Sequence, residues 1–134
     1  MLTNKDYCDY ETCVALKELG YDGCPWECSC FGAYYRNGED IFYDRFFNSE
    51  LGEDEYLRIP LYLAQKWLRE EWGIHIVVHY YYLDETNVYN YTLRYIGKTL
   101  RDNGVKYDNK SYNSYEDALL EGVKSAIKLL KEEK

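Results

Sequence analysis

PLYLAQKWLREEWGIHIVVHYYYL, residues 60–83, changes its periodicity at a single glycine. Before Gly73, the residues Leu63, Ala64, Trp67, Leu68 and Trp72 recur at three- and four-residue spacing, which places them on one stripe of a helix. Lys66, Arg69 and Glu70 fall mostly on the opposite side. Pro60 suits the first turn of such a helix, where its missing N–H needs no partner. Gly73 supplies the left-handed residue that commonly ends one. Beyond it, Ile74, Ile76 and Val78 alternate with His75, Val77 and His79, and the run is too β-branched to continue the helix. With Val77 and Leu83 on the alternate positions, both strand faces are partly apolar. The stretch therefore predicts a helix followed at once by a central strand.

Working outward, Asp9 can cap a helix over Tyr10–Leu19 that stops at Gly20, with Thr12, Ala15, Leu16 and Leu19 inward and Lys17 and Glu18 outward. Two aromatic runs, Cys30–Tyr35 and Ile41–Phe47, flank an Asn37-Gly38 hairpin signal. Five residues lie between the runs, which suggests a turn longer than two residues. Asn48–Leu57 is polar and acidic and reads as an exposed loop. After the central strand, Asp84–Asn87 reads as a turn. Tyr89–Ile96 then alternates as an antiparallel partner, and Val105–Tyr107 adds a short edge strand. Ser114 caps a closing helix whose stripe is Ala118, Leu119, Val123, Ala126, Ile127 and Leu130. The expected fold is a single α+β domain spanning residues 1–134. Its mainly antiparallel sheet carries helices on one face, in the order α-β-β-α-β-β-(β)-α.

Composition narrows the function. The 134 residues carry 16 basic and 24 acidic side chains, a formal charge of −8. That balance argues against a protein that tracks phosphates, and leaves only acidic mimicry of nucleic acid open. No apolar run approaches the roughly 18 residues that span a bilayer, and the first residues lack a signal-peptide core, so a cytoplasmic protein is expected. Seven carboxylates and one base, Arg45, lie between Glu39 and Glu55, so most of the imbalance sits there. The 17 tyrosines serve sheet faces and interfaces about equally well.

The order of elements is also familiar. YCDYETCVALKELGYD, IPLYLAQKWLREEWGIHI and SYEDALLEGVKSAIKLL together resemble a family of small hypothetical proteins from gut Bacteroides and their phages and prophages. QKWLRE followed by IHI is the most specific part. The resemblance implies a small accessory protein, phage- or prophage-derived, and brings no activity, ligand or catalytic residue with it.

Chemistry-bearing clusters are few. Cys24, Cys28 and Cys30 form C-x3-C-x-C, which is not a standard zinc knuckle, and ordinary thiols are the better reading. In a reducing compartment the five cysteines stay unpaired. His75 and His79 share a strand face but stand roughly 13 Å apart, too far for one ion. Neither nucleotide-binding glycine fingerprint nor an EF-hand loop is present. The expected site is thus a binding surface with no catalytic residue, metal or cofactor. It combines Tyr43, Tyr81 and Tyr91 on a tyrosine-rich open sheet face with His75, His79 and an acidic rim of Glu53, Asp54 and Glu55. The expected function is non-enzymatic binding of a host or phage protein, or a homodimer through the same face. A second expectation is a small-ligand binder or minor enzyme, with an aromatic pocket between sheet and helices that uses His75 or His79.

Overall fold

In the computed structural model the helix after Pro60 runs over Leu61–Trp72, and Gly73 (φ 68°) turns the chain directly into the strand Ile74–Leu83. Residues 4–23, 34–41, 47–95, 104–108 and 110–132 are described. They comprise α1 (Tyr10–Glu18), β1 (Tyr34–Arg36), β2 (Glu39–Ile41), β3 (Glu55–Leu57), α2 (Leu61–Trp72), β4 (Ile74–Leu83), β5 (Thr86–Tyr95), β6 (Gly104–Tyr107) and α3 (Tyr115–Glu132). The fold class is α+β with antiparallel sheets. The described strands form two sheets, ordered β2-β1-β3 and β4-β5-β6. The chain resolves into two compact units, Met1–Pro60 and Leu61–Lys134.

In the first unit Asp9 caps α1, accepting from the Thr12 N–H at 2.9 Å. Thr12, Cys13 and Leu16 form its buried stripe. Cys8 and Cys13 are both fully buried, and burial, with Cys13 alongside, pushes the Cys8 thiol up. The Cys8 thiol is thereby kept in its unreactive, protonated form. The β1–β2 connection is a two-residue turn, since Asn37 (φ 51°) and Gly38 (φ 88°) are both left-handed and Arg36 pairs with Glu39. The longer turn expected from the sequence is therefore corrected: the charged flanks belong to the strands. Arg58, nearly buried, sits 4.5 Å from the Tyr7 ring and donates to Asn4 Oδ1 at 2.8 Å.

Asn48–Leu57 also differs from the exposed loop expected. Asn48 is buried, donates from Nδ2 to the Tyr21 carbonyl at 2.7 Å and accepts from the Leu57 N–H at 2.9 Å. It thereby ties the exit of α1 to β3. Glu55–Leu57 pairs with β1, and Leu57 is a core residue.

In the second unit α2 and α3 pack against one face of β4–β5. The hairpin register pairs Ile74 with Tyr95, Ile76 with Leu93 and Val78 with Tyr91. These residues share the helix-covered face, where Ile74, Ile76, Tyr91 and Leu93 are buried. Ser114 caps α3 through the Asp117 N–H at 3.1 Å. The stripe of α3 is the expected one plus Gly122. The turn between β4 and β5 is shorter than expected. Only Asp84 (φ 49°) and Glu85 (φ 62°) lie between the paired Leu83 and Thr86.

Two outcomes follow from this geometry. A non-glycine residue held left-handed costs about 1 kcal/mol. Glu85→Gly should release that strain and raise Tm by roughly 3–5 °C in a thermal melt. Gly122→Ala should act oppositely. Alanine gains about 1 kcal/mol of helix propensity, but its Cβ would stand 2.6 Å from Ile76 Cγ2 and 3.4 Å from the Tyr91 ring. Neither atom lies at the end of a flexible chain. The overpacking term, about 1–3 kcal/mol, should win and lower Tm.

Candidate functional surface

The same register that buries Ile74 and Leu93 turns the alternate residues to the opposite face of β4–β5–β6. Three rows cross it: His75–Arg94–Val105, Val77–Thr92–Tyr107, and His79–Asn90. Tyr81–Val88 and Leu83–Thr86 extend it toward the turn. Tyr81 is 46% exposed, Leu83 57% and Tyr107 68%, and Val77 and Val105 are exposed as well. None of these twelve positions is Asp or Glu, in a chain that holds 24 of them. The single full charge on the face is Arg94. The surface is apolar and aromatic, with histidine at its middle.

His79 is held in place. Its Nε2 lies 2.9 Å from Thr92 Oγ1, and its ring stands 6.4 Å from that of Tyr81. A histidine against a hydroxyl is half of a nucleophile pair. Here the hydroxyl belongs to a nearly buried residue, and the β5 amides around it are spent on the ladders to β4 and β6. The arrangement orients an imidazole. His75, across from Arg94, is exposed. Among the described residues no group of three or more potential ligands could hold a metal ion.

The tyrosines divide differently from the expectation of a tyrosine-rich open face. Tyr81 and Tyr107 are on it, whereas the register puts Tyr80, Tyr82, Tyr89, Tyr91 and Tyr95 on the helix side. Tyr91 is buried under α3, beside Gly122, and its burial pushes its hydroxyl up. Tyr91 is therefore a core residue. Tyr43 lies outside the described residues, as do Cys24, Cys28 and Cys30.

The acidic trio belongs to the first unit and is unequal. Glu53 and Asp54 are exposed. Glu55 accepts from Arg36 Nε at 2.9 Å and from the Gly52 N–H at 3.1 Å. The Arg36 guanidinium, then that amide, hold its carboxyl below the usual value. Lys17, expected to face solvent, donates to the carbonyls of Gly52 at 3.0 Å and Glu55 at 2.9 Å. Its ammonium also lies 4.9 Å from the Tyr56 ring. Lys17 thus fastens the acidic loop to α1. A shallow depression of about 460 Å³ opens there, lined by Lys17, Asn48, Glu53 and Tyr56 among others. A second, of about 330 Å³, lies at Tyr112, Asp117 and Glu121 in the other unit. Neither is lined by a histidine.

Lys17, Asn48 and Val105 were missed as contributors; only the carboxylate-free alternation of β4 and β5 could have flagged the face beforehand. No family model, no curated protein and no solved structure matches the chain.

The Arg36–Glu55 pair has a defined pH signature. A depressed folded pKa contributes stability that is fully present above the unfolded value, about 4.3, and is lost as pH falls through the lower folded value. The Tm difference between wild type and Glu55→Gln should stay constant from neutral pH to about 5 and close below about 4. A difference unchanged at acid pH would show that the carboxylate charge is not what Arg36 requires.

Proposed function

We propose that the chain is a small, acidic, non-enzymatic interaction protein that binds another protein through the face of β4–β5–β6 opposite the helices. The observation that carries this reading is the exposure of Val77, Tyr81, Leu83, Val105 and Tyr107 on a face with no carboxylate among its twelve described positions. Several large apolar side chains left exposed on one sheet face make it a candidate binding surface. Aromatic side chains supply contact area at low entropic cost, and His79, already oriented by Thr92, adds a fixed hydrogen-bonding group. Glu53 and Asp54 act as the steering charges, accelerating encounter with a basic partner more than they add affinity. Glu55 is excluded from that role by its commitment to Arg36. We take the partner to be a host or phage protein, as the sequence resemblance to small proteins of gut Bacteroides and their phages implies.

Affinity capture from nuclease-treated Bacteroides lysate, read by mass spectrometry with three baits, tests the proposal. Wild type should retain one stoichiometric protein. A face bait with Val77→Ser, Tyr81→Ser and Leu83→Ser should lose it. A loop bait with Glu53→Gln and Asp54→Asn should keep it at low salt with a slower association rate. Retention by the face bait at wild-type yield would sink the reading.

A further inference from the structure

We propose that β4 is a homodimerisation edge, pairing antiparallel with β4 of a second copy to join two three-stranded sheets into one of six. The inference concerns the backbone edge of β4 and stands apart from what occupies the sheet face.

The hairpin fixes which β4 groups point outward. In a hairpin closed by two left-handed residues, the pair flanking the turn, Leu83–Thr86, exchanges both hydrogen bonds. Alternation then commits Tyr81, His79, Val77 and His75 to β5 and aims the N–H and C=O groups of Tyr82, Tyr80, Val78 and Ile76 away from it. Gln65 confirms the parity, donating its Nε2 to the Ile76 carbonyl at 2.8 Å. On the far side of β5 the rule holds too, with Tyr89 bonded to Tyr112 in both directions. Among the described residues no backbone group bonds the outward amides and carbonyls of Val78, Tyr80 and Tyr82.

Exposed strand edges are ordinarily blunted by charge, proline or a bulge. β4 has none of these. Its register with β5 is unbroken over ten pairs. Trp72–Leu83 is the longest stretch of the chain without Asp, Glu, Lys or Arg. A row of backbone groups with no backbone partner among the described residues is matched by another strand. The unit that carries β4 is neutral, with 11 basic and 11 acidic side chains over residues 61–134, so its net charge does not oppose a second copy. Along β4 itself no charged side chain stands against that approach.

The outward set is also self-complementary. A two-fold axis through the Tyr80 pair sets Val78 against the partner's Tyr82 and Tyr80 against the partner's Tyr80, with about six interstrand hydrogen bonds. On the helix side this creates cross-strand pairs between Tyr80 rings and between Tyr82 and Val78, the kind that stabilise sheets. Gln65 ends the pairing at Ile76 by occupying its carbonyl.

The test is sedimentation equilibrium of the purified protein, combined with concentration-dependent amide exchange by NMR. Wild type should approach twice 16.1 kDa at about 100 μM. The amides of Val78, Tyr80 and Tyr82 should exchange more slowly as concentration rises. Tyr82→Pro removes an outward N–H without breaking a bond to β5 and should weaken the dimer at least tenfold with the fold retained by circular dichroism. The Val77→Ser, Tyr81→Ser, Leu83→Ser variant should still dimerise. A wild-type monomer at that concentration overturns the proposal, as does a dimer whose three amides exchange at dilute rates. So does a dimer lost in the face variant and kept in Tyr82→Pro, which would place the contact on the sheet face.

Discussion

Asp84 and Glu85, both left-handed, fix the register of the longest hairpin in the molecule, and most of the second unit depends on that register. Strand side chains alternate with period two, so a slip of one residue would exchange the faces completely. A slipped β4 would take Ile74 and Ile76 out of the core and turn His75 and His79 toward the helices. The strain in two non-glycine residues is thus balanced against the burial of an entire face. Gly122 is fitted to the same register. Its missing side chain makes room for Ile76 and the Tyr91 ring, so α3 can pack closely only where those two residues arrive opposite it.

Much of this was legible in the sequence, because periodicity is a strong signal where elements are long. The helix ending at Gly73, the strand after it and the stripe of α3 all follow from spacing alone, although that strand, expected to be central, is an edge and β5 is the central one. The first unit was read less well, for two physical reasons. Its strands are three residues long, too short to show alternation. Its organising residue, Asn48, is polar but buried, and only tertiary partners satisfy it. A reading based on average polarity assigns such a residue to solvent. Lys17 was misread for the same reason: its role lies in carbonyls more than thirty positions away.

The candidate surface was half legible. That His75 and His79 share a face follows from their spacing, and the register agrees. The tyrosines were not assignable, because a phenol suits a buried face and a wet one alike. In Tyr80-Tyr81-Tyr82 the alternation carries no contrast, and only the partner strand sorts the three. The acidic trio shows the same limit. Three consecutive carboxylates look equivalent until β3 forms and delivers one of them to Arg36.

Burial along β4 falls away from Ile74 to Leu83 while its polarity does not rise to match. Core demands explain the first half, where Ile74 and Ile76 meet the helices. They do not explain the second. Beyond Val78 the strand is mostly exposed yet retains Tyr80, Tyr81, Tyr82 and Leu83 with no charged residue among them. A monomer that needed only its own core could end the strand earlier or place lysines there, since either choice blunts an exposed edge at little expense in stability. Keeping ten uncharged residues in register, closed by a strained turn, exposes apolar area and unpaired backbone together. The proposed face contact uses side chains and the proposed edge pairing uses backbone groups, so the two are separable by different substitutions.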